Sequence, residues 1–383
     1  MLFHCTKGDC RFWGEGAAMP DACPRCGGAL TAGERAKMSG DDWCALGVFW
    51  MEQDGAEEKA VSCFRRAARL GSGWGACNLG LCLEQGTGIE ADPRQAVWLY
   101  QQAAEMGSLP ALCNLAVCYE EGIGTPSDPH QAVELYRRAA EQGHAVAQLN
   151  LGWIYANSPS RKNWEQAVYW YKQAAEQGDP RAQYNLAWCY GNGSGTPKNP
   201  RKAAYWYEEA AMQNHATAQY NLGWCYENGF GVEPDLDKAL VWYHKSALQG
   251  QITAQYTLGW CYGNGRGMEV DMAKAVHWYT KAAEQGHTTA QLNLGWCHLN
   301  GKGTPVNREE ALKWYLKAAE QGNATAMFNV GNCYAHGYGI EQDDKQAEEW
   351  YLKAVRHGNK KAASALRHLA SKQEKEKQTD SEA

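Results

Sequence analysis

The residues best suited to chemistry are four thiols near the start of the chain. Cys5-x4-Cys10 and Cys23-x2-Cys26 form two short hooks separated by twelve residues. Zinc takes four soft ligands in a tetrahedron, and two hooks of this kind supply them. Residues 1–30 hold few core-forming side chains, so a staple is expected. Metal binding would then be most of the folding energy of this segment. The expected ligand set is Cys5, Cys10, Cys23 and Cys26 around one structural zinc. Two other readings stand beside it: four unrelated free thiols, and His4 replacing Cys5 as a ligand.

A second set of thiols reads differently. Cys82, Cys118, Cys189, Cys225, Cys261, Cys297 and Cys333 occupy one slot of a repeating pattern, and Ile154 fills that slot once. An exchange between Cys and Ile marks a buried apolar position, where free Cys acts as a small hydrophobe. These thiols are therefore expected to pack. No Ser/His/Asp set, paired-carboxylate pattern or phosphate loop stands out. The Gly-x-Gly runs follow helices, which is the wrong context for phosphate binding. His144, His215 and His287 share a position with Asp179 and Asn323, which suggests helix capping.

The elements that carry these residues follow from a period. One small residue recurs at Gly80, Ala116, Gly152, Ala187, Gly223, Gly259, Gly295 and Gly331, at intervals of 36 residues with a single 35. A fixed period in this range marks a supersecondary unit stacked on copies of itself. Each unit reads as two helices. In residues 252–264, Ala254, Leu258 and Tyr262 form one helical stripe, and the run Gly265-Arg266-Gly267 then ends the helix. Residues 271–285 form the second helix, with apolar positions at Ala275, Trp278, Tyr279 and Ala282. Asp92-Pro93, Asp128-Pro129 and Asn199-Pro200 place an N-cap before a Pro at the first helical position. Asn307 with Glu310 predicts a capping box.

The organisation that follows is a metal-binding module over 1–30, a linker over 31–40 and a repeat array over 41–372. Within the array, 41–71 is a degenerate first unit, eight full units cover about 74–358, and 361–372 is a capping helix. Residues 373–383 are expected to be disordered, since they hold almost nothing apolar. The composition of 383 residues is 44% hydrophobic and 21% charged, with seventeen Trp and twenty Tyr against six Phe. Large rings with polar handles suit a protein that is mostly interface. The net charge of −6 and the lack of a basic stripe argue against a nucleic-acid partner. No apolar run approaches the ~18 residues that would cross a bilayer, and the start lacks the apolar core of a signal peptide.

At this point a resemblance can be named. AQYNLGWCYENGFGVEPDLDKALVWYHKSALQG, at 218–250, resembles the Sel1-like repeat family, a longer-looped relative of the tetratricopeptide repeat. The family pattern runs Ala-x-x-x-Leu-Gly-x-x-Tyr, Gly-x-Gly-Val, Asp-x-x-Lys-Ala, then Trp-Tyr-x-Lys-Ala-Ala and a closing Gly. The third unit departs from it, carrying Asn157-Ser158-Pro159-Ser160 in place of the glycine loop. The resemblance implies an all-α, right-handed α-solenoid, and family members commonly act as adaptors that assemble other proteins. The first thirty residues resemble zinc-ribbon and rubredoxin-like modules through Cys23-Pro24-Arg25-Cys26-Gly27. Their first hook is Cys-x4-Cys where rubredoxins have Cys-x2-Cys, which favours structural zinc over an electron-transfer iron. Cysteine-rich secreted relatives staple each helix pair with a disulfide. Here the second helices of the later units hold no Cys, so the thiols are expected to be free, as suits a reducing cytoplasm.

Two ladders are candidate binding residues. Trp153, Trp188, Trp224, Trp260 and Trp296 follow the small residue in five consecutive units. Asn150, Asn185, Asn221 and Asn293 precede the Trp slot by three residues, as do Asn78, Asn114 and Asn329 elsewhere, with Thr257 the exception. A spacing of three puts each pair on one helical face. By analogy with tetratricopeptide proteins, first helices line a concave groove, where Asn amides would bind a peptide backbone and Trp rings would anchor it. The other reading is that Trp packs between units and Asn satisfies loop backbone. The expected function is a cytoplasmic, non-enzymatic scaffold for a peptide or partner protein. The alternatives are a β-lactamase-like hydrolase and an iron-binding redox module at the N-terminus.

Overall fold

The computed structural model describes residues 2–5, 12–15, 30–32, 37–157 and 163–382. The chain divides into two compact units, residues 1–197 and 198–383. Nineteen helices account for most of the described residues, so the fold class is an all-α repeat solenoid.

The first unit opens with three short strands, β1 (Leu2–Cys5), β2 (Trp13–Glu15) and β3 (Leu30–Ala32). They form an antiparallel sheet in the order β2-β1-β3, with Phe3 opposite Gly14 and His4 opposite Thr31. Helix α1 (Gly40–Met51) follows. The Trp13 indole donates to the Asp42 carboxylate at 2.8 Å, and Phe12 meets the Phe49 ring edge-on at 5.9 Å, which fastens the sheet to α1. Of the span expected as a linker, 31–40, residues 33–36 lie outside the described residues. Thr31 and Ala32 belong to β3, Met38 is buried, and Ser39 caps α1 in a reciprocal box with Asp42. The remaining helices of this unit are α2 (Glu57–Arg69), α3 (Gly73–Gln85), α4 (Pro93–Glu105), α5 (Leu109–Glu121), α6 (Pro129–Glu141), α7 (Ala145–Asn157), α8 (Trp164–Glu176) and α9 (Pro180–Asn192). The expected irregular loop at Ser158, Pro159 and Ser160 lies outside the described residues.

The second unit holds α10 (Pro200–Met212), α11 (Ala216–Asn228), α12 (Leu236–Leu248), α13 (Ile252–Asn264), α14 (Met272–Glu284), α15 (Thr288–Asn300), α16 (Arg308–Glu320), α17 (Ala324–His336), α18 (Asp344–Arg356) and α19 (Lys360–Glu382). Helix α19 runs from Lys360 through Glu382 and so includes most of the segment 373–383 that the sequence reading set apart as a tail. Its Ala362 and Leu369 join the core cluster of α16–α18, and that contact starts the helix. Beyond it the Lys and Glu residues are good helix formers.

Local chemistry explains why the elements start and stop where they do. Asp92, Asp128, Asn199, Asp235 and Asp271 each accept a hydrogen bond from the amide three residues on, at the head of a second helix. The expected capping box at Asn307 is half formed. Asn307 accepts from the Glu310 amide at 3.0 Å, but the Glu310 carboxylate is held by Lys313 at 3.0 Å. First helices end on a glycine in the left-handed region, such as Gly229 at φ 66°. The second glycine of each loop has another reason. A Cβ on Gly303 would stand 2.1 Å from the Met272 carbonyl oxygen, so only glycine lets this loop dock on the preceding repeat.

The core of each repeat is a ring laid on a small residue. A Cβ on Gly223, Gly259 or Gly295 would stand 2.6–2.8 Å from the ring of Tyr243, Tyr279 or Tyr315. The glycine at the centre of the first helix therefore makes room for the tyrosine of the second. Burial of that ring leaves its hydroxyl to be satisfied. Tyr100, Tyr136 and Tyr243 donate to Glu84, Glu120 and Glu227 at 2.7–2.9 Å.

Candidate functional site: the exposed stripe of the first helices

The first helix of each repeat has two apolar or small faces committed to its neighbours and one stripe that is not. In α11, Ala218, Leu222 and Cys225 are buried, whereas Trp224 is 43% exposed. The same holds for Trp153, Trp188, Trp260 and Trp296, whose exposures run from 39% to 53%. These rings are not core. Trp188 stacks on Trp164 at 5.6 Å, and Trp224 lies against Phe230 at 5.4 Å, which limits their rotamers without covering them.

A second asparagine row frames the rings. Asn157, Asn192, Asn228, Asn264 and Asn300 each donate Nδ2 to the carbonyl of the Trp four residues earlier, at 2.9–3.0 Å. These carbonyls lie near the end of the helix. In α11, α13 and α15 each comes one residue before the Cys carbonyl that accepts the capping glycine amide, so the Asn side chain adds a second donor there. Sequence reasoning missed this row, although the Trp-x-x-x-Asn spacing carries it. In the second unit the stripe reads Thr217, Asn221, Trp224, Asn228 on α11; Thr253, Thr257, Trp260, Asn264 on α13; and Thr289, Asn293, Trp296, Asn300 on α15. It holds no charge.

The first asparagine row is more committed to the protein. Asn150 donates to the Cys113 thiol at 3.9 Å, and Asn78 to Cys44 at 3.3 Å. Asn185 and Asn221 are half-buried. The amides of this row thus face the seam between first helices as well as the stripe.

Sequence reasoning also missed a buried glutamine row. Gln148, Gln183, Gln219, Gln255 and Gln291 lie in the core and donate to a carbonyl at the end of the preceding second helix, at 3.0–3.3 Å. Four of them also accept from the glutamine that ends the second helix of their own repeat: Gln148 from Gln177, Gln219 from Gln249, Gln255 from Gln285 and Gln291 from Gln321, at 2.7–2.8 Å. Each such amide is satisfied on both sides, so it fixes repeat register without leaving a buried polar group unpaired. The Ala-Gln dipeptide that marks it looks like surface in a linear reading.

The repeated thiols are buried, as the Cys/Ile exchange suggested. Cys118, Cys189, Cys225 and Cys297 are fully buried, and Ile154 packs against the same kind of core. Burial pushes the Cys189 and Cys225 thiols up to about 12 and Cys297 to about 11. Burial thus favours the protonated thiol, the form that is a poor nucleophile. The capping role of the histidines also appears: Nδ1 of His144, His215 and His287 accepts from Ala147, Ala218 and Ala290 at 3.1–3.3 Å. Of the expected zinc ligands, Cys10, Cys23 and Cys26 and the side chain of Cys5 lie outside the described residues.

Comparison with known proteins follows the same architecture. A protective antigen of uropathogenic Escherichia coli with an SLR fold is 30% identical, over 87% of this chain and 80% of its own, with a TM-score of 0.57. A Sel1 repeat protein from Oxalobacter formigenes is 33% identical, over 75% of this chain and 85% of its own, with a TM-score of 0.60. No curated protein matches the sequence. The Sel1 repeat matches nine successive segments, 38–72, 75–108, 109–144, 145–179, 180–215, 216–251, 252–287, 288–323 and 324–359. The first of them is the segment that sequence reading treats as degenerate. The chain belongs to the Sel1 repeat family, whose members generally mediate protein–protein interactions.

Proposed function

We propose that this chain is an adaptor that holds an extended, largely uncharged segment of a partner protein on the concave, first-helix face of its repeats. The observation that carries this reading is the exposure of Trp153, Trp188, Trp224, Trp260 and Trp296 at one slot of five repeats. A large ring left half in water on an otherwise packed helix is a ready anchor for a partner. The neighbouring Thr and Asn side chains, among them Asn150, Asn185, Asn221 and Asn293, match the hydrogen-bonding needs of a peptide backbone and repel neither sign of charge. Changing Trp224 and Trp260 to Ala tests the reading: partner capture from the source cell is lost while helical content is kept. Unfolding of the double variant would instead mark the rings as structural.

The same reading includes a structural zinc at Cys5, Cys10, Cys23 and Cys26. Its support is the donor set, four thiols in two hooks, on a segment whose strands pair with one another and dock on α1. The ion would hold the segment together and take no part in a reaction. Metal analysis of the purified full chain decides it. One zinc per chain supports the assignment, and bound iron with visible colour would favour a redox module. Eleven buried free thiols among the described residues suit a reducing cytoplasm.

A further inference from the structure

A separate feature lies on the opposite side of α3 from its Trp74/Asn78/Leu81 stripe. Residues of α2, α3 and α4 line a cleft of about 640 Å³, within the range of ligand-binding pockets. Its apolar lining includes the buried side chains of Leu79, Leu83 and Leu99, and Trp98, 56% exposed, also lines it. Arg65 and Arg69 line it one helical turn apart on α2. Among the described residues neither guanidinium makes a hydrogen bond or an ion pair. Two like charges a turn apart repel, and no carboxylate among the described residues pairs with either.

The pair is not a stacking requirement either. The slot of Arg69 is occupied in other second helices by Glu105, Glu141, Glu176, Glu284 and Glu320. This repeat alone carries both arginines in these two slots, in a chain whose net charge is −6. Guanidinium groups match carboxylates in geometry as well as charge. We propose that the cleft is a second docking site, which takes an acidic peptide segment with one apolar side chain. That side chain would rest on Leu79, Leu83 and Leu99 beside the Trp98 ring, and the flanking carboxylates would pair with Arg65 and Arg69.

The test uses the full chain and a fluorescein-labelled peptide, Gly-Glu-Glu-Phe-Glu-Glu-Gly, followed by anisotropy. Saturable binding is expected. It should weaken by at least about tenfold in the Arg65→Glu/Arg69→Glu variant and at high salt. Trp98→Ala should weaken it without changing its salt dependence, and Trp224→Ala should leave it unchanged. The Lys-flanked and Ser-centred versions of the peptide should not bind. Both arginines are exposed, so the double variant is expected to keep the parent's thermal melt. No saturable binding of the acidic peptide, equal binding by the double variant, or equal binding of the Lys-flanked peptide would each overturn the proposal.

Discussion

Gln285 donates its side-chain amide to the Gln255 side-chain oxygen at 2.8 Å, across thirty residues of sequence, from the end of the second helix to the first helix of the same repeat. Gln255 in turn donates to the Ala247 carbonyl at 3.1 Å from a buried position. Removing the middle member strands polar groups on both sides. Gln255→Ala should cost about 2 kcal/mol or more, since a buried unsatisfied group carries its full desolvation penalty. Gln255→Met should cost less, because Met327 fills the same slot and is buried in α17. Chemical denaturation of the three proteins checks this order.

The loop glycines divide into two kinds that a linear reading cannot separate. Gly303, at φ +74°, would place a Cβ 2.1 Å from the Met272 carbonyl, whereas Gly286, at φ +89°, faces open space. Gly303→Ala should therefore cost more than ~2 kcal/mol, from clash plus strain. Gly286→Ala should cost ~1 kcal/mol, from strain alone. Hydrogen exchange in α14–α16 would show the difference as local opening in the first variant only.

The capping histidines make stability depend on pH. Burial lowers the basicity of His144 and His287, and each uses Nδ1 as an acceptor, which protonation would remove. A depressed folded-state pKa means the unfolded chain binds more protons just below the ordinary value of about 6.5. The contribution is complete above that value and is lost as pH falls through the folded-state pKa. Thermal melting should drop between neutral and mildly acid pH. His287→Asn, which matches Asn323 at the same slot, should flatten that part of the profile.

The buried thiols give a chemical check. With Cys225 pushed up to about 12 by burial, a thiol-alkylating reagent at mildly alkaline pH should leave it untouched in the native chain. Mass spectrometry should find it fully modified after denaturation. Rapid native labelling of Cys225 would contradict its place in the core.

The fold was largely legible because its signals are local and repeated eight times over: the small residue at Gly223, the cap at Asp271, the Cys slot that Ile154 interrupts. What escaped depends on partners brought from elsewhere. Gln255 reads as surface until Ala247 and Gln285 close around it. The Trp slot was ambiguous because helical periodicity shows which residues share a face, and not what covers that face. The strands of the first unit are only three or four residues long, too short for a period of two to show. The helical course of 373–382 extends a helix seeded by Ala362 and Leu369, which composition alone cannot reveal.

The most direct measurement compares partner capture from the source cell by the parent chain and by the Trp224→Ala/Trp260→Ala variant, each with its thermal melt. The stripe on α11 and α13 is uncharged, so capture by the parent should persist at high salt. The variant should lose at least about tenfold in capture, as expected for two anchor rings, with its melt unchanged. Undiminished capture by a folded variant would contradict the claim that this face holds the partner.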